Sequence, residues 1–397
     1  MRVLLVSNEF PPVKSSGAVQ VFDLAEGFSS AGHDITVVTA TPGAGRAPTV
    51  ERLGQLKVIR FPAFQSKDVN LIRRAAAEIL TPLRIVWLLW RHDPLEGAYD
   101  GVVWYSPTIF LGVLIHLLKK RFRCKAYLIL RDIFPDWAVH TGVMRRGIAY
   151  FFFKACEAYQ YTVADCIGVQ APGNLKYLRR WSRPPKRKVE VLHNWLTHSG
   201  SVTSSLQISK TKLAGRKVFV YAGNMGPAQG IEILFELAKK MSFVDDVGFL
   251  FVGRGSVFEK YQRDSTFYRL ENVLLEDFIP SDQIPDLYQQ CFAGLLALDP
   301  RHVTHNIPGK FLSYMASGLP VLGSVNRGND LINIVDQYKV GTIIENGSLD
   351  SLAGALMNMN ASMICGKEDI RSNCYRVAEE MFSTQRAVKQ ISQHLCA

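Results

Sequence analysis

Residues 217–241, KVFVYAGNMGPAQGIEILFELAKKM, decide the fold. Lys217 to Ala222 is a short apolar run rich in valine and aromatic residues, the composition of a buried strand. Tyr221 to Gly230 then carries three glycines and a proline, and Ile231 to Met241 repeats apolar residues at helical spacing. Strand, glycine turn and helix in that order form the repeating unit of an open parallel sheet, which binds ligands beyond the carboxyl ends of its strands. The glycines let the backbone approach a diphosphate, and the helix offers it a positive end. The spacing is not G-x-G-x-x-G and no Walker lysine follows, so dinucleotide and P-loop chemistry are disfavoured. Phosphate contact at Gly223, Asn224, Gly226 and Gln229 and a merely tight turn are the two readings that stay open.

The same alternation runs outward in both directions. Toward the C-terminus, strands are expected at Val247 to Val252, Asn272 to Phe278, Phe292 to Leu298, Pro320 to Ser324 and Gly341 to Glu345. Helices are expected at Ser281 to Gln290 and Lys310 to Ser317. Toward the N-terminus, strands are expected at Arg2 to Ser7, Asp34 to Ala40, Leu56 to Phe61, Gly101 to Tyr105, Ala126 to Arg131, Asp165 to Gln170 and Val189 to His193. A helix is expected at Ala18 to Ser30. After Leu196 the composition changes to THSGSVTSSLQISK, which reads as a linker or surface excursion. At 397 residues the chain exceeds one ordinary domain. The expected organisation is an α/β domain over 1–197 and another over 198–382, with a helix from Ser383 to Leu395 that has room to return to the first.

Three further stretches carry chemistry. The turn after the first strand, Asn8 to Ala18, sets Ser16 and Gly17 where backbone N–H groups near a helix start can face an anion. Phe249 to Gly255, FLFVGRG, ends a buried strand in a glycine turn with Arg254 projecting from it. His305, Asn306, Ile307, Pro308, Gly309 and Lys310 open a helix that runs on through Ser313. A lysine in the first helical turn opposes the helix dipole, and an anionic ligand would offset that. In the first half, Arg131-Asp132-Ile133-Phe134-Pro135-Asp136-Trp137 follows a strand end. A carboxylate there, Asp132 by preference, is placed to orient or deprotonate an acceptor hydroxyl. Arg131, Asp136, Trp137 and His140 are the expected acceptor-binding residues, and for Asp136 a helix-capping role is the alternative.

Charge divides unevenly. Residues 1–200 hold 27 Lys+Arg against 15 Asp+Glu, and the remainder 19 against 20. Solvated faces and a patch for anionic phospholipid or a polyanionic substrate both fit this asymmetry, whereas no nucleic-acid-binding signature accompanies it. The segment Ala75 to Trp90, AAAEILTPLRIVWLLW between arginines, reads either as a core helix or as an interfacial one. No run reaches the roughly 20 apolar residues of a membrane span. The seven cysteines show no C-x-x-C pair, so neither a disulfide framework nor zinc is indicated. Arg2 onward is strand-like without a secretory signal, which points to the cytoplasm.

Taken together, NEFPPVKSSGAVQVFDLAEGFSSAGHDITVVT, RDIFPDWAVHTGVM, HNW at 193–195, YAGNMGPAQGIEIL, FLFVGRGS, DFIPSDQIPDLY and IPGKFLSYMASGLPVL resemble the retaining family 4 glycosyltransferases. Within that family they are close to bacterial lipopolysaccharide and O-antigen enzymes that include L-N-acetylfucosamine transferases. The resemblance implies a GT-B fold of two Rossmann-like domains facing a cleft, with the acceptor on the first and the nucleotide-sugar donor, UDP-linked by expectation, on the second. It implies catalysis without metal or other cofactor. By position, Gly17 and the Gly223 to Gly230 loop would flank the diphosphate, Arg254 and the backbone at Ile279 would meet the nucleoside, and Lys310 would neutralise phosphate. It further implies an N-acetylated amino or deoxyamino sugar, a polyprenyl-diphosphate-linked saccharide acceptor and an anionic membrane surface at the inner face of the cytoplasmic membrane. Two departures stand out. Where many members have glutamates eight positions apart this chain has His305 and Ser313, and where many have a lysine it has Gln229. Those departures leave room for a nucleotide-sugar epimerase or hydrolase of the same fold, or for a non-catalytic subunit of a polysaccharide assembly.

Overall fold

The computed structural model describes residues 1–13, 15–43, 45–66, 69–140, 142–181, 187–197, 200, 202–226, 229–300, 307–362 and 367–396. The chain forms two compact units, Met1–Trp195 with Thr384–Ala397, and Leu196–Ser383.

The first unit holds β1 (Arg2–Ser7), α1 (Ser16–Ser30), β2 (Asp34–Pro42), β3 (Thr49–Leu53), β4 (Leu56–Ala63), α2 (Leu71–His92), β5 (Gly101–Ser106), α3 (Gly112–Phe122) and β6 (Lys125–Leu130). It continues with α4 (Asp136–His140), α5 (Ile148–Val163), β7 (Cys166–Val169) and β8 (Lys188–Val191). The sheet order is β3-β4-β2-β1-β5-β6-β7-β8, parallel except for the β3–β4 pair. Its central strands are buried almost throughout because helices cover both faces, which is why they read as unbroken apolar runs. β3 escapes that reading: all five of its residues are exposed at the sheet edge, so no apolar period marks it.

The second unit holds β9 (Lys217–Asn224), α6 (Glu232–Lys240), β10 (Val247–Arg254), α7 (Ser256–Arg263), α8 (Ser265–Tyr268), β11 (Val273–Glu276), α9 (Ile284–Gln289), β12 (Ala293–Ala297) and α10 (Gly309–Ala316). After these come β13 (Val321–Val325), α11 (Asp330–Tyr338), β14 (Gly341–Glu345), α12 (Leu349–Ser362) and α13 (Lys367–Phe382). Its sheet is wholly parallel, in the order β11-β10-β9-β12-β13-β14. α9 is shorter than the sequence suggests, because a turn from Gln283 N–H to the Pro280 carbonyl at 3.0 Å precedes it. Helices α11 to α13 fill a region for which no helix was expected, and Asn329 caps the first by accepting from the Leu331 N–H at 3.0 Å. Part of the polar stretch after Leu196 is held by side chains of the second unit. Ser204 and Ser205 N–H donate to Asp286 and Gln283 at 2.9 and 2.8 Å.

α14 (Thr384–Leu395) belongs to the first unit, where Ala387, Val388, Ile391 and Leu395 join the core that α1 forms with the sheet. Among the described residues no helix is long and apolar enough to cross a membrane.

Strand order places the sites. In the first sheet the chain steps from β1 outward through β2 and β4, then returns to the other side of β1 with β5. In the second it steps from β9 through β10 and β11, then returns beside β9 with β12. Such a reversal opens a crevice at the carboxyl ends of the two strands, and ligands of open α/β sheets bind there.

One glycine guards the second crevice. Gly253, at φ +141°, lies so close under β9 that a Cβ on it would sit 2.1 Å from the Gly223 carbonyl oxygen. Gly253→Ala is therefore expected to cost about 3 kcal/mol or more, from backbone strain and forced separation of the strands. Urea unfolding followed by circular dichroism measures this, and a loss below about 1 kcal/mol would mean the strand ends can part without penalty.

Candidate active site

In the second unit the glycine turn and the Pro-Gly helix meet. Lys310, in the first turn of α10, extends beneath the turn after β9, so that a Cβ on Gly223 would lie 3.0 Å from its Cε and 3.2 Å from Nζ. Nζ sits 4.6 Å from the centre of the Tyr221 ring. No carboxylate forms an ion pair with it among the described residues, and burial pushes its pKa down to about 8. A desolvated ammonium set against a glycine turn is poised for an anion.

The turn itself is braced. Gln229 Oε1 accepts from the Gly226 N–H at 2.9 Å and approaches Asn224 Nδ2 at 3.5 Å. The Gln229 carbonyl oxygen thus braces the loop, and its Nε2 amide is the group left to donate to a ligand. Arg254 ends β10 beside Asn224, its carbonyl accepting from the Met225 N–H at 2.9 Å, while its exposed guanidinium lies 5.8 Å from the Phe278 ring centre. Phe278 is 65 % exposed, a flat apolar surface at the strand ends that the sequence reading passed over. Ile279 next to it turns its side chain into the core, leaving only its backbone for a ligand. Gly309 opens α10, and Ser313 one turn later donates to the Gly309 carbonyl at 3.2 Å, so its hydroxyl is bound to its own helix. His305 and Asn306 lie outside the described residues.

Tyr314 also escaped sequence reading. It is fully buried, and its hydroxyl donates to the Leu295 carbonyl at 2.9 Å and to that of Val220 at 3.3 Å. It thereby bridges β9 and β12, whose ladder has only two residue pairs, and holds the crevice at fixed width. An interior tyrosine with helical spacing looks like ordinary core; only the strand order shows what it spans.

The first unit gathers a second cluster at the ends of β1, β5 and β6. Arg131 donates to Ser16 Oγ at 3.0 Å, to Gln20 Oε1 at 3.4 Å and to the Tyr105 hydroxyl. Ser15 caps α1 by accepting from the Ala18 N–H at 3.1 Å and donates to Glu9 Oε2 at 2.7 Å. Gly17 is hemmed in: a Cβ there would meet Glu9 Oε2 at 2.7 Å and Arg131 Nη1 at 3.3 Å. Burial alone would weaken the Arg131 charge, but Tyr105, Asp132 and Glu9 hold it firmly protonated. Burial pushes the Tyr105 phenol up to about 12 against the pull of Arg131, so it stays a donor. Burial raises the Asp132 carboxyl as well, with Arg131 opposing. A carboxyl tuned upward beside a fixed cation suits proton transfer. Glu9, Gln20 and Tyr105 are the members of this cluster that the sequence did not single out.

The other expected acceptor residues lie apart from it. Asp136 accepts from the Tyr150 hydroxyl at 2.9 Å and from Lys154 Nζ at 3.0 Å, and Lys154 also pairs with the buried Glu157 at 2.5 Å. Asp136 therefore anchors α4 to α5. Trp137 is half-buried with its ring 6.1 Å from that of Phe134, and His140 is exposed at the end of α4.

Among the described residues one three-residue group has metal-ligand character, Cys166, Glu190 and His394. Lys188 Nζ already stands 3.2 Å from Glu190 and 3.3 Å from His394 Nε2, and Glu190 also accepts from Tyr127 and Gln390 at 2.8 Å each. The group reads as the polar seam that fastens α14 to the sheet.

Residues 17–195 match the glycosyl transferase 4-like domain, and residues 216–361 match the glycosyl transferases group 1. Relatives include WbjE of Pseudomonas aeruginosa, described as a probable glycosyltransferase, at 22 % identity over 313 residues, 77 % of this chain and 76 % of that one. WcaI of Escherichia coli, described as a putative colanic acid biosynthesis glycosyl transferase, is 19 % identical over 391 residues, 90 % of this chain and 91 % of that one. Among solved structures, a sucrose-phosphate synthase of Thermosynechococcus elongatus superimposes with TM-score 0.72 at 17 % identity, covering 99 % of this chain and 97 % of that one. Anabaena HepE in complex with UDP gives 0.68 at 17 % identity over the whole of both chains. The fold is that of the GT-B glycosyltransferases.

Proposed function

Since the chain belongs to the glycosyl transferases, through a 4-like first domain and a group 1 second domain, we propose that it moves an N-acetylated amino or deoxyamino sugar from a UDP-linked donor to a polyprenyl-diphosphate-linked saccharide. The place is the inner face of the cytoplasmic membrane, in lipopolysaccharide, O-antigen or capsule synthesis, and the configuration at the anomeric carbon is retained.

The observation that carries the donor side is Lys310, a desolvated ammonium with no ion-pair partner among the described residues, directly under the Gly223 turn at the crevice of the second sheet. As the anomeric C–O bond to the diphosphate breaks, negative charge builds on the leaving oxygen. A fixed cation and backbone N–H groups stabilise that state more than the ground state. The new bond forms from the acceptor oxygen to the anomeric carbon, and Asp132 receives the acceptor's hydroxyl proton. Arg131, locked by Ser16, Gln20 and Tyr105, acts on that carboxyl through its charge, which opposes the rise that burial causes. UDP is supported by the HepE complex, and a surface polysaccharide by the description of WcaI.

The test is transfer of labelled sugar from a panel of nucleotide diphosphate sugars to lipid-linked acceptors. Activity is expected with a UDP-N-acetylamino sugar, and transfer from another nucleotide alone would overturn the donor assignment. EDTA should leave turnover within about twofold of the untreated rate, because protein cations supply the charge that a metal would otherwise bring. An absolute need for magnesium would contradict it.

A further inference from the structure

Exposed apolar surface is concentrated on one face of the first unit. Of the 21 exposed large apolar side chains among the described residues, 11 fall on α2, α3, α5 or the loop before α5. On α2 they form a stripe at helical spacing, Leu80, Leu83, Trp87 and Trp90, with Trp90 83 % exposed. The opposite side of α2 already faces the core through Ile85, Leu88 and Leu89. A helix that is apolar on both sides is one that something covers. On α5, Ile148 is 93 % and Phe151 67 % exposed.

Between α2, α3 and α5 runs a groove of about 370 Å³ lined by Pro82, Leu83, Phe110, Val113, Phe152 and Cys156 among others. Tyr159, at its end, is 2.8 Å from His116 Nδ1. Past that pair a hollow of about 560 Å³ is lined by Lys119, Lys120 and Arg123. Lys119 is paired with Asp165, whereas Lys120 and Arg123 are exposed and form no ion pair among the described residues. An apolar trough thus leads to a basic one.

Charge decides among the possible occupants. α2 carries four arginines, Arg73, Arg74, Arg84 and Arg91, against one glutamate, Glu78. A second copy on this face would oppose like charges, while an anionic bilayer matches them, and tryptophan beside arginine is the composition of a membrane interface. Arg91 indeed lies over the Trp87 ring at 5.7 Å.

We propose that the α2–α3–α5 face docks on an anionic phospholipid bilayer, with hydrocarbon entering the groove and phosphate headgroups meeting Lys120, Arg123 and the arginines of α2. This rests on the lipid-linked acceptor read above and names the surface that brings the chain to it. The full chain is floated with vesicles of phosphatidylcholine alone or with about a third phosphatidylglycerol, at low and high salt. Flotation is expected only with the anionic vesicles at low salt, together with a blue shift of tryptophan emission. Lys120→Gln with Arg123→Gln should weaken binding about fivefold for each cation removed. Trp87→Ala with Trp90→Ala should abolish the blue shift. Absence of flotation, equal flotation on neutral vesicles, or wild-type behaviour of both double variants would overturn the proposal. So would sedimentation showing a dimer that Trp90→Ala dissociates, since a second copy would then own the face. Transfer to a short-chain, water-soluble acceptor should be unchanged in these variants. Flotation without any transfer sinks the functional reading alone, and transfer without flotation sinks the docking surface alone.

Discussion

Lys310→Ala should lower kcat by about a hundred- to a thousandfold, the range seen when one preorganised donor to a developing charge is removed. Under the Gly223 turn it has no side-chain partner beyond the Tyr221 ring among the described residues, so what is lost is charge at the leaving diphosphate. The pH dependence separates this from a packing effect. Burial brings the free-enzyme pKa from 10.5 to about 8, so kcat/KM for the donor should fall as pH rises through about 8. A bound diphosphate raises that pKa, and kcat should hold to higher pH. Stability runs the other way. Between about 8 and 10.5 the unfolded chain binds this proton more tightly than the native one, so the lysine's penalty is full below about 8 and fades as pH rises. Lys310→Met should therefore be more stable than wild type at neutral pH while nearly inactive. Near-normal turnover in either variant would remove the phosphate role.

For Asp132→Asn the expected loss is about a hundred- to ten-thousandfold in kcat, the span of general acid–base contributions, with the donor KM little changed. Asparagine keeps the shape and cannot take a proton. Because burial raises the Asp132 carboxyl, the acid limb of the wild-type kcat/KM profile should lie above that of an ordinary aspartate, activity rising with pH as the group ionises. The variant should lack that limb. The linkage sign is the reverse of the usual carboxylate. The native state keeps this proton longer than the unfolded chain does, so its contribution to stability is present at low pH and is lost as pH rises through the raised pKa. Retained turnover in Asp132→Asn would move proton transfer to another group of the cluster, with Glu9 next in line through its bond to Ser15.

Parts of the two clusters were legible from residues alone, and the reason is local. Gly223 and Gly226 announce a turn, Lys310 at a helix start is an electrostatic anomaly, and Arg131 and Asp132 directly follow an apolar strand. Each signal is contained in a few consecutive residues. Tyr105, Gln20 and Glu9 could not be seen this way, since their significance lies in converging on Arg131 from β5, α1 and the end of β1. Phe278 and Tyr314 were hidden by their ordinary chemistry, one as a stray exposed aromatic and the other as core. For α2 the sequence left two readings because its apolar residues fall on two sides of the same helix, one buried in the core and the other exposed.

Periodicity and glycine punctuation by themselves determined that this chain is α/β with parallel sheets, since strand and helix each imprint their own repeat on neighbouring residues and the turns need particular backbone freedom; the glycosyltransferase assignment came from the resemblance of whole motifs. Which strands become neighbours was decided only by the tertiary structure. β5 returns beside β1 and β12 beside β9, because each sheet must bury both faces under helices whose connections run in one hand. Those two reversals open the crevices, and a side chain's place at a crevice depends on that order rather than on the residues beside it in the chain.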